Sequence, residues 1–467
     1  MLLLSCQPAL AGRIEAGTFT AHDTLGTNRT PDRVTFQQSF DTPPIVIGIP
    51  SQAGNNSASI RITNVDTNGF DELILEPDNW DGRHLAMVIH YVAIEPGRHV
   101  LPDGTVIEAG FTELSNVQFG SGFTGGGSSW RSVSFSAPLF GTPVILHQLQ
   151  TANSETRDVA NQSSRPHITS IARSPSTLGF DLAIERSQAN SGPFPSIERI
   201  GWIAFPTGAA GSFPDTGGSR VTWNTSTTGA TIRGWDDGCF SNPHGLSAGN
   251  PIVIAKKISR NNSDGGWLRY CSITGTSISL RVDEDRDQDT ERSVAAGDAE
   301  QAAIIAFSQS FHALLEADLD ITKGRTSISD GVSGDFAIPG AIVDYLITVS
   351  NVGNSPPNQN SVAVTETLPV ELNLVVGDYG GAGSGPIAFE QGSPTSTLTC
   401  SFTSFASTSD CYEFSVDGVD FGYVPSDSGD GTDPAVRFIR IRPVGFMAPD
   451  VGSGSPSFRL RMRTVVD

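Results

Sequence analysis

The chain of 467 residues carries a formal net charge of −21, and a field of that sign repels phosphate backbones, so nucleic acid is excluded as an expected partner. Hydrophobic residues make up 37%, and the 50 glycines and 29 prolines show no G-x-y period, which excludes a collagen-like rod. The length suits about three or four domains, and short apolar runs separated by Ser, Thr, Asn and Gly make strands joined by turns the expected elements.

The N-terminus reads MLLLSCQPALAG. Its apolar run and the Ala9-Leu10-Ala11 triplet read as the end of a secretory signal peptide, so residues 1–11 are assigned to a leader remnant. The usual basic start is absent, which places the true start of the leader upstream. Cys6, after Leu3-Leu4-Ser5, also offers a lipoprotein-type site. No later stretch is apolar enough to span a membrane as a helix.

Three segments then repeat one order of elements. The first, 12–100, opens with VTFQQSFDTPPIVIGIP, continues through SIRITNVDTNGFDELILE and closes with MVIHYVAIEPG. The second, 101–210, runs through SVSFSAPLFGTPVILHQLQ and ITSIARSPSTLGFDLAIE to RIGWIAFPTG. The third, 211–314, has PIVIAKKIS, YCSITGTSISLRVDED and QAAIIAFSQS. The anchors Pro44, Pro143 and Pro251 and the closing Ala93, Ala204 and Ala306 recur at intervals of about 100 residues. Each unit reads as a small antiparallel β-sandwich of about six strands. Gly69-Phe70 and Gly179-Phe180 fit a tight turn that feeds a core aromatic.

A fourth region, 315–467, shows strict alternation from Ala341 to Val349 and two late strands, VRFIRIRPVGF and SFRLRMRTVV, that alternate apolar residues with arginine. It reads as an immunoglobulin-like sandwich whose arginines face solvent. Past the leader the cysteines are Cys239, Cys271, Cys400 and Cys411, two well-separated pairs. The expected disulfides are Cys239–Cys271 and Cys400–Cys411, the alternative being four buried thiols. Lysine occurs only at Lys256, Lys257 and Lys323. That bias is genomic or reflects a preference for planar, multi-donor contacts.

The acidic run RVDEDRDQDTER places Asp283, Asp285, Asp287 and Asp289 at alternate positions of an extended segment, so their carboxylates point the same way. Calcium would take such oxygen ligands, although the glycine of an EF-hand loop is absent. The competing reading is a solvated acidic loop balanced by Arg286 and Arg292. The sequence holds no G-x-S-x-G, H-E-x-x-H or P-loop motif, and its histidines are scattered, so no enzyme chemistry is expected.

The residues of repeat 1 carry a resemblance. Phe40-x-x-Pro43-Pro44-x-Val46, then Arg61 on a strand, then Gly69-Phe70, a loop with Trp80 and the closing Ala93-Ile94 strand resemble the H-type lectin domain. Repeats 2 and 3 look like divergent copies, with Trp202-Ile203-Ala204 kept in the second. The resemblance implies binding of terminal galactose-type sugars at subunit boundaries. Arg61 matches the family's strand arginine and Trp80 its loop tryptophan. Asp81 stands next to that Trp, where the family often has His, and His84 lies further on. In physical terms an indole such as Trp80 stacks on the apolar face of a pyranose, while Arg61, Asn79, Asp81 and His84 can pair with its hydroxyls. The fourth region resembles a bacterial surface module, the domain of unknown function eleven. It does so through Pro339-Gly340-Ala341, Tyr345, Asn351-Val352-Gly353-Asn354 and Thr365-Glu366-Thr367-Leu368-Pro369.

The sequence thus predicts an all-β chain of three tandem H-type lectin-like sandwiches and a C-terminal immunoglobulin-like one. The expected role is glycan or glycoconjugate binding by a secreted or cell-surface protein, an adhesin or matrix component, with other surface proteins as further partners. The rival role is a structural spacer with no sugar binding. Three copies in one chain admit either one pseudo-threefold body with grooves between repeats or beads on a string.

Overall fold

The computed structural model describes the chain except residues 1, 6–11, 23–30, 78–83, 119–128, 155–166, 187–195, 287–289, 333 and 451–453. Among the described residues the regular structure is β-strand, with two short 3₁₀ turns at Trp235–Asp237 and Ala296–Asp298. No helix among them is long and apolar enough to cross a membrane. The chain divides into two compact units. One is Gly12–His99 with Thr105–Leu314, and the other is Leu315–Asp467 with Val100–Gly104 and the N-terminal strand Leu2–Ser5.

Each repeat of the first unit contributes six strands in a common order, and repeat 2 adds the short Val117–Gln118, paired parallel to its fifth. In repeat 1 these are Gly12–Ala21, Asp32–Thr35, Ile45–Pro50, Ser59–Thr63, Gly69–Leu75 and Met87–Ile94. Repeat 2 has Val106–Leu114, Arg131–Ser134, Pro143–Leu149, Ile168–Arg173, Gly179–Arg186 and Glu198–Pro206. Repeat 3 has Arg220–Thr227, Phe240–Pro243, Ile252–Lys257, Trp267–Ile273, Ser277–Asp283 and Ala302–Phe307. In every repeat the first, sixth and third strands form one antiparallel sheet, and the second, fifth and fourth form another. Apolar side chains fill the space between the two: Val46, Ile62, Phe70 and Tyr91 in repeat 1, and Val253, Leu268, Leu280 and Ile304 in repeat 3. In repeat 2 Phe135, Phe180 and Trp202 stack edge to face and tilted. The Gly-Phe pairs behave as expected. Phe70 and Phe180 are buried, and a Cβ at Gly69 or Gly179 would collide with the carbonyl of Val34 or Val133 on the second strand.

The repeats close on one another. After each sixth strand the chain turns back into a short linking strand that pairs with the first strand of the next repeat. Gly97–Val100 joins repeat 2, Ala210–Pro214 joins repeat 3, and Phe311–Leu315 returns to repeat 1. At that last joint Ser310 Oγ donates to Ala16 O at 3.0 Å. The three third strands each sit at a sheet edge, paired only to their own sixth strand, and they pack against one another. This explains their sequence. IVIGIP, PVILHQL and IVIAKK are near-continuous rather than alternating because both faces are covered.

Arginine and lysine side chains seal the joints. The fourth-strand Arg61 of repeat 1 donates to Ile168 O of repeat 2. At the corresponding place in repeat 3, Arg269 donates to Ser51 O at 2.9 Å, Asn56 O at 3.0 Å and Ala53 O, all in repeat 1. Repeat 2 has Ile171 on that strand, and there the cations come from the other side. Lys257 and Arg260 of repeat 3 both reach Glu185 of repeat 2, at 2.6 and 2.8 Å. Asp283, two places further along its fifth strand than the residue facing Arg269, plays the part of Glu185 in repeat 3 and takes Arg269 and Arg292 at 2.8 and 3.0 Å.

The second unit packs two sheets around one core. One sheet orders Leu2–Ser5, Ala363–Thr367, Phe438–Ile441 and Tyr412–Ser415. The other orders Leu319–Ser329, Ile342–Asn351, Ser457–Val466, Leu372–Val375 and Thr432–Asp433, with Ile387–Gln391 also on Ser457–Val466. Val349, Val364, Phe414, Ile439 and Leu460 fill the interior. The late arginine strand alternates as expected: Phe458, Leu460 and Met462 are buried, while Arg461 and Arg463 pair outside with Glu390 and Asp344. Leu2–Ser5, assigned from the sequence to a leader remnant, pairs as a strand with Ala363–Thr367. Cys6 and the Ala9-Leu10-Ala11 triplet lie outside the described residues.

Both expected disulfides are present, Cys239–Cys271 with Cα atoms 6.3 Å apart and Cys400–Cys411 with 5.4 Å. Such bonds belong to oxidising compartments. Removing the first by a Cys→Ser pair should cost about 3–4 kcal/mol, and the second, which closes a shorter loop, about 1 kcal/mol less. Replacing Asp283 by Asn strands two buried guanidinium groups and should cost about 3–5 kcal/mol, whereas breaking the exposed Arg199–Glu113 pair should cost under about 1 kcal/mol. Urea denaturation of the intact chain and its variants measures each of these.

Candidate functional site

The third strands end in different residues, and that difference makes a cavity. Counting from Pro44, Pro143 and Pro251, repeat 1 places Gly48-Ile49 where repeat 2 has His147-Gln148 and repeat 3 has Ala255-Lys256. Polar side chains at this depth cannot pack like the aliphatic ones before them. They enclose a space of about 50 Å³ to which all three repeats contribute: Arg61 from the first, His147, Gln148 and Glu185 from the second, Lys256, Lys257 and Trp267 from the third.

Hydrogen bonds fix the lining. Lys256 Nζ donates to Gln148 Oε1 at 2.7 Å, and the same amide donates through Nε2 to Ile60 O at 3.3 Å. His147 Nε2 faces Lys257 O at 3.3 Å, and a carbonyl only accepts, so that nitrogen carries the proton. Nδ1 then accepts from Ser170 Oγ at 2.9 Å. Burial, reinforced by the Lys256 and Lys257 charges, pushes the His147 pKa down to about 3. Burial and the Arg61 guanidinium push Lys256 down to about 7. His167, tilted against Trp267 with ring centres 4.7 Å apart and bonded to Ser59 Oγ, is held well below the ordinary imidazole range by burial and by Arg61. At neutral pH the site therefore sets donors around one carboxylate, with the His147 imidazole uncharged.

Of the residues proposed from the sequence as sugar contacts, Arg61 and His84 are described, and both are buried. Arg61 is 1% exposed and donates to Ser59 Oγ, Ile60 O and Ile168 O. It is a joint residue with its donors turned inward. His84 is buried, with Nδ1 donating to Leu85 O at 2.8 Å and burial lowering its pKa. Asn79, Trp80 and Asp81 lie outside the described residues. In the acidic run, Asp283 is fully buried with both oxygens on arginines, so the carboxylate offered to calcium is neutralised from within. Asp285 is buried as well, and Asp287 and Asp289 lie outside the described residues. Among the described residues no group of three or more His, Cys, Asp or Glu is placed to hold a metal ion. The inner cavity was missed, yet one signal pointed to it. Two of the chain's three lysines stand side by side at the end of an apolar run.

An outer cleft of about 490 Å³ opens where repeats 1 and 2 meet. Asn64 and Val65 form one wall; Gln150, Thr151, Asn153, Glu113 and Arg199 form the other. Arg199 bonds Glu113 at 2.8 Å and lies 4.5 Å over the half-exposed Phe111 ring. Beneath it, the buried Glu198 carboxylate accepts from Thr151 Oγ1 and the backbone amides of Asn153 and Ser154, which holds the loop in shape.

No family model matches the chain, and no solved structure matches it. The chain is 25% identical over 273 residues to halomucin from Haloquadratum walsbyi. That stretch is 56% of this chain and 3% of halomucin, so the chain spans a small fraction of the relative it matches.

The low pKa of His147 has a measurable sign. A group depressed in the folded state binds fewer protons there than when unfolded, so stability present above pH 6.5 is lost as pH falls toward about 3. His147→Gln should therefore remove about 2 kcal/mol of the stability lost between pH 7 and pH 5. Parallel urea titrations of parent and variant at the two pH values give this difference directly.

Proposed function

We propose that the chain is a non-catalytic part of an exported, surface or secreted protein, and that it binds glycans at the boundary between repeats 1 and 2. The disulfides and the likeness to halomucin support the extracellular setting. In this reading repeats 1–3 are H-type lectin-like sandwiches and residues 315–467 an immunoglobulin-like surface module. The observation that carries the proposal is the outer cleft. Its volume of about 490 Å³ falls in the range of small-ligand sites, whereas the inner cavity of about 50 Å³ is too small for a pyranose. The amides of Asn64, Gln150 and Asn153, the Thr151 hydroxyl, the Glu113 carboxylate and the Arg199 guanidinium offer the mixture of donors and acceptors that a ring of hydroxyls needs. The Asn79-Trp80-Asp81 loop remains the proposed stacking partner for a sugar face.

A structural spacer is the second reading, favoured by the burial of Arg61 and His84 in bonds to backbone carbonyls. A glycan array separates the two. The parent is expected to bind galactose-type glycans, Asn153→Ala to weaken binding at least about tenfold if the cleft is the site, and Trp80→Ala to do so if the loop contributes. Absence of binding by the parent leaves the spacer reading standing.

A further inference from the structure

We infer that the inner cavity is a binding site for a small inorganic monovalent anion of about chloride size. The space, about 50 Å³, holds three or four waters, or one such anion with a water beside it. Its lining sets three cations, Arg61, Lys256 and Lys257, against one carboxylate, Glu185. Lys257 is matched to Glu185 at 2.6 Å, and the same carboxylate oxygen also takes Arg260 at 2.8 Å. Glu185 thus already faces more positive charge than it can neutralise. Lys256 differs from Lys257. Its hydrogen-bond partner is the neutral Gln148 Oε1, and the part of its side chain left uncovered lines the cavity. An ammonium has three donors, and one amide oxygen satisfies one of them.

A buried ammonium without a counter-charge either loses its proton or recruits an anion. The surroundings favour recruitment. The groups facing Lys256 are the Arg61 guanidinium from repeat 1, the uncharged His147 imidazole and Glu185 from repeat 2, and Lys257 on its own strand. Two of these attract an anion, one is neutral, and the carboxylate is engaged by Lys257 and Arg260. Burial, and after it the Arg61 charge, push the Lys256 pKa down to about 7, so an anion between the two cations relieves their mutual repulsion. Trp267 and Ile60 in the wall limit the occupant to a small ion. The site lies among the three repeats, so occupancy couples to ring closure rather than to the outer cleft, and its test is independent of sugar binding.

The test is thermal unfolding of the intact chain at fixed ionic strength, with sodium chloride replacing sodium methanesulfonate, whose anion exceeds the cavity. At pH 6 the melting temperature is expected to rise saturably by about 2 °C. At pH 9, with Lys256 neutral, chloride affinity should fall by about tenfold per pH unit above 7. Chloride-35 line broadening should follow the same pH dependence. Lys256→Met, with an unchanged circular dichroism spectrum, should lose both responses. A parent that ignores chloride at pH 6, or responds equally at pH 9, overturns the site. So does a folded Lys256→Met that responds as the parent does. If that variant does not fold, the contrast between pH 6 and pH 9 in the parent decides alone.

Discussion

The edges of the three third strands are the constraint on which the first unit depends. Each is hydrogen-bonded on one side only, and a bare edge invites pairing with other chains. Here the edges are turned toward one another and covered by the neighbouring repeats. Because the linking strand after repeat 3 returns to the first strand of repeat 1, no repeat is left with an uncovered end. The alternative of independent beads would expose IVIGIP, PVILHQL and IVIAKK, which are covered on both faces here, to water.

Covering the edges creates a second problem, because the carbonyls at the joints also leave water. Long polar side chains solve it. Gln150 donates to Val46 O, Gln148 to Ile60 O, Trp267 to Ala58 O, and Arg269 to three carbonyls of repeat 1. Guanidinium groups suit the task because five donors in a rigid fork can serve several acceptors at once. Their charge must then be balanced in a medium that solvates it poorly, and Glu185 and Asp283, at equivalent places in repeats 2 and 3, do so. Repeat 1 has Leu75 at that place, so the three joints are alike in path and different in charge. Departure from threefold symmetry concentrates positive charge around the inner cavity.

Interior and exterior of the unit are thereby separated in chemistry. Inside, ammonium and guanidinium groups surround a space fit for a few waters or an ion. Outside, the cleft between repeats 1 and 2 carries the exposed amides of Asn64 and Asn153, the latter on a loop that buried Glu198 holds in place. Arg61 was offered as a sugar contact through its match to the strand arginine of the H-type lectin domain. Its fourth strand is in fact buried throughout, since repeat 2 covers it.

The sequence by itself determined the strands, the two disulfides and the recurrence of one element order three times. These are local or pairwise properties: the alternation of Val343, Ile347 and Val349, the Gly-Phe pairs against a facing carbonyl, and cysteines near enough in the chain to meet. Tertiary structure alone decided that the repeats close on themselves and that Arg61 and Asp283 are interior. It also decided that Lys256 meets Gln148 across 108 residues of chain. The reason is physical. A side chain's burial and charge partner depend on which repeat covers it, and a linear pattern of apolar and polar residues records the face a strand shows its own sheet, not the neighbour that arrives on the other side.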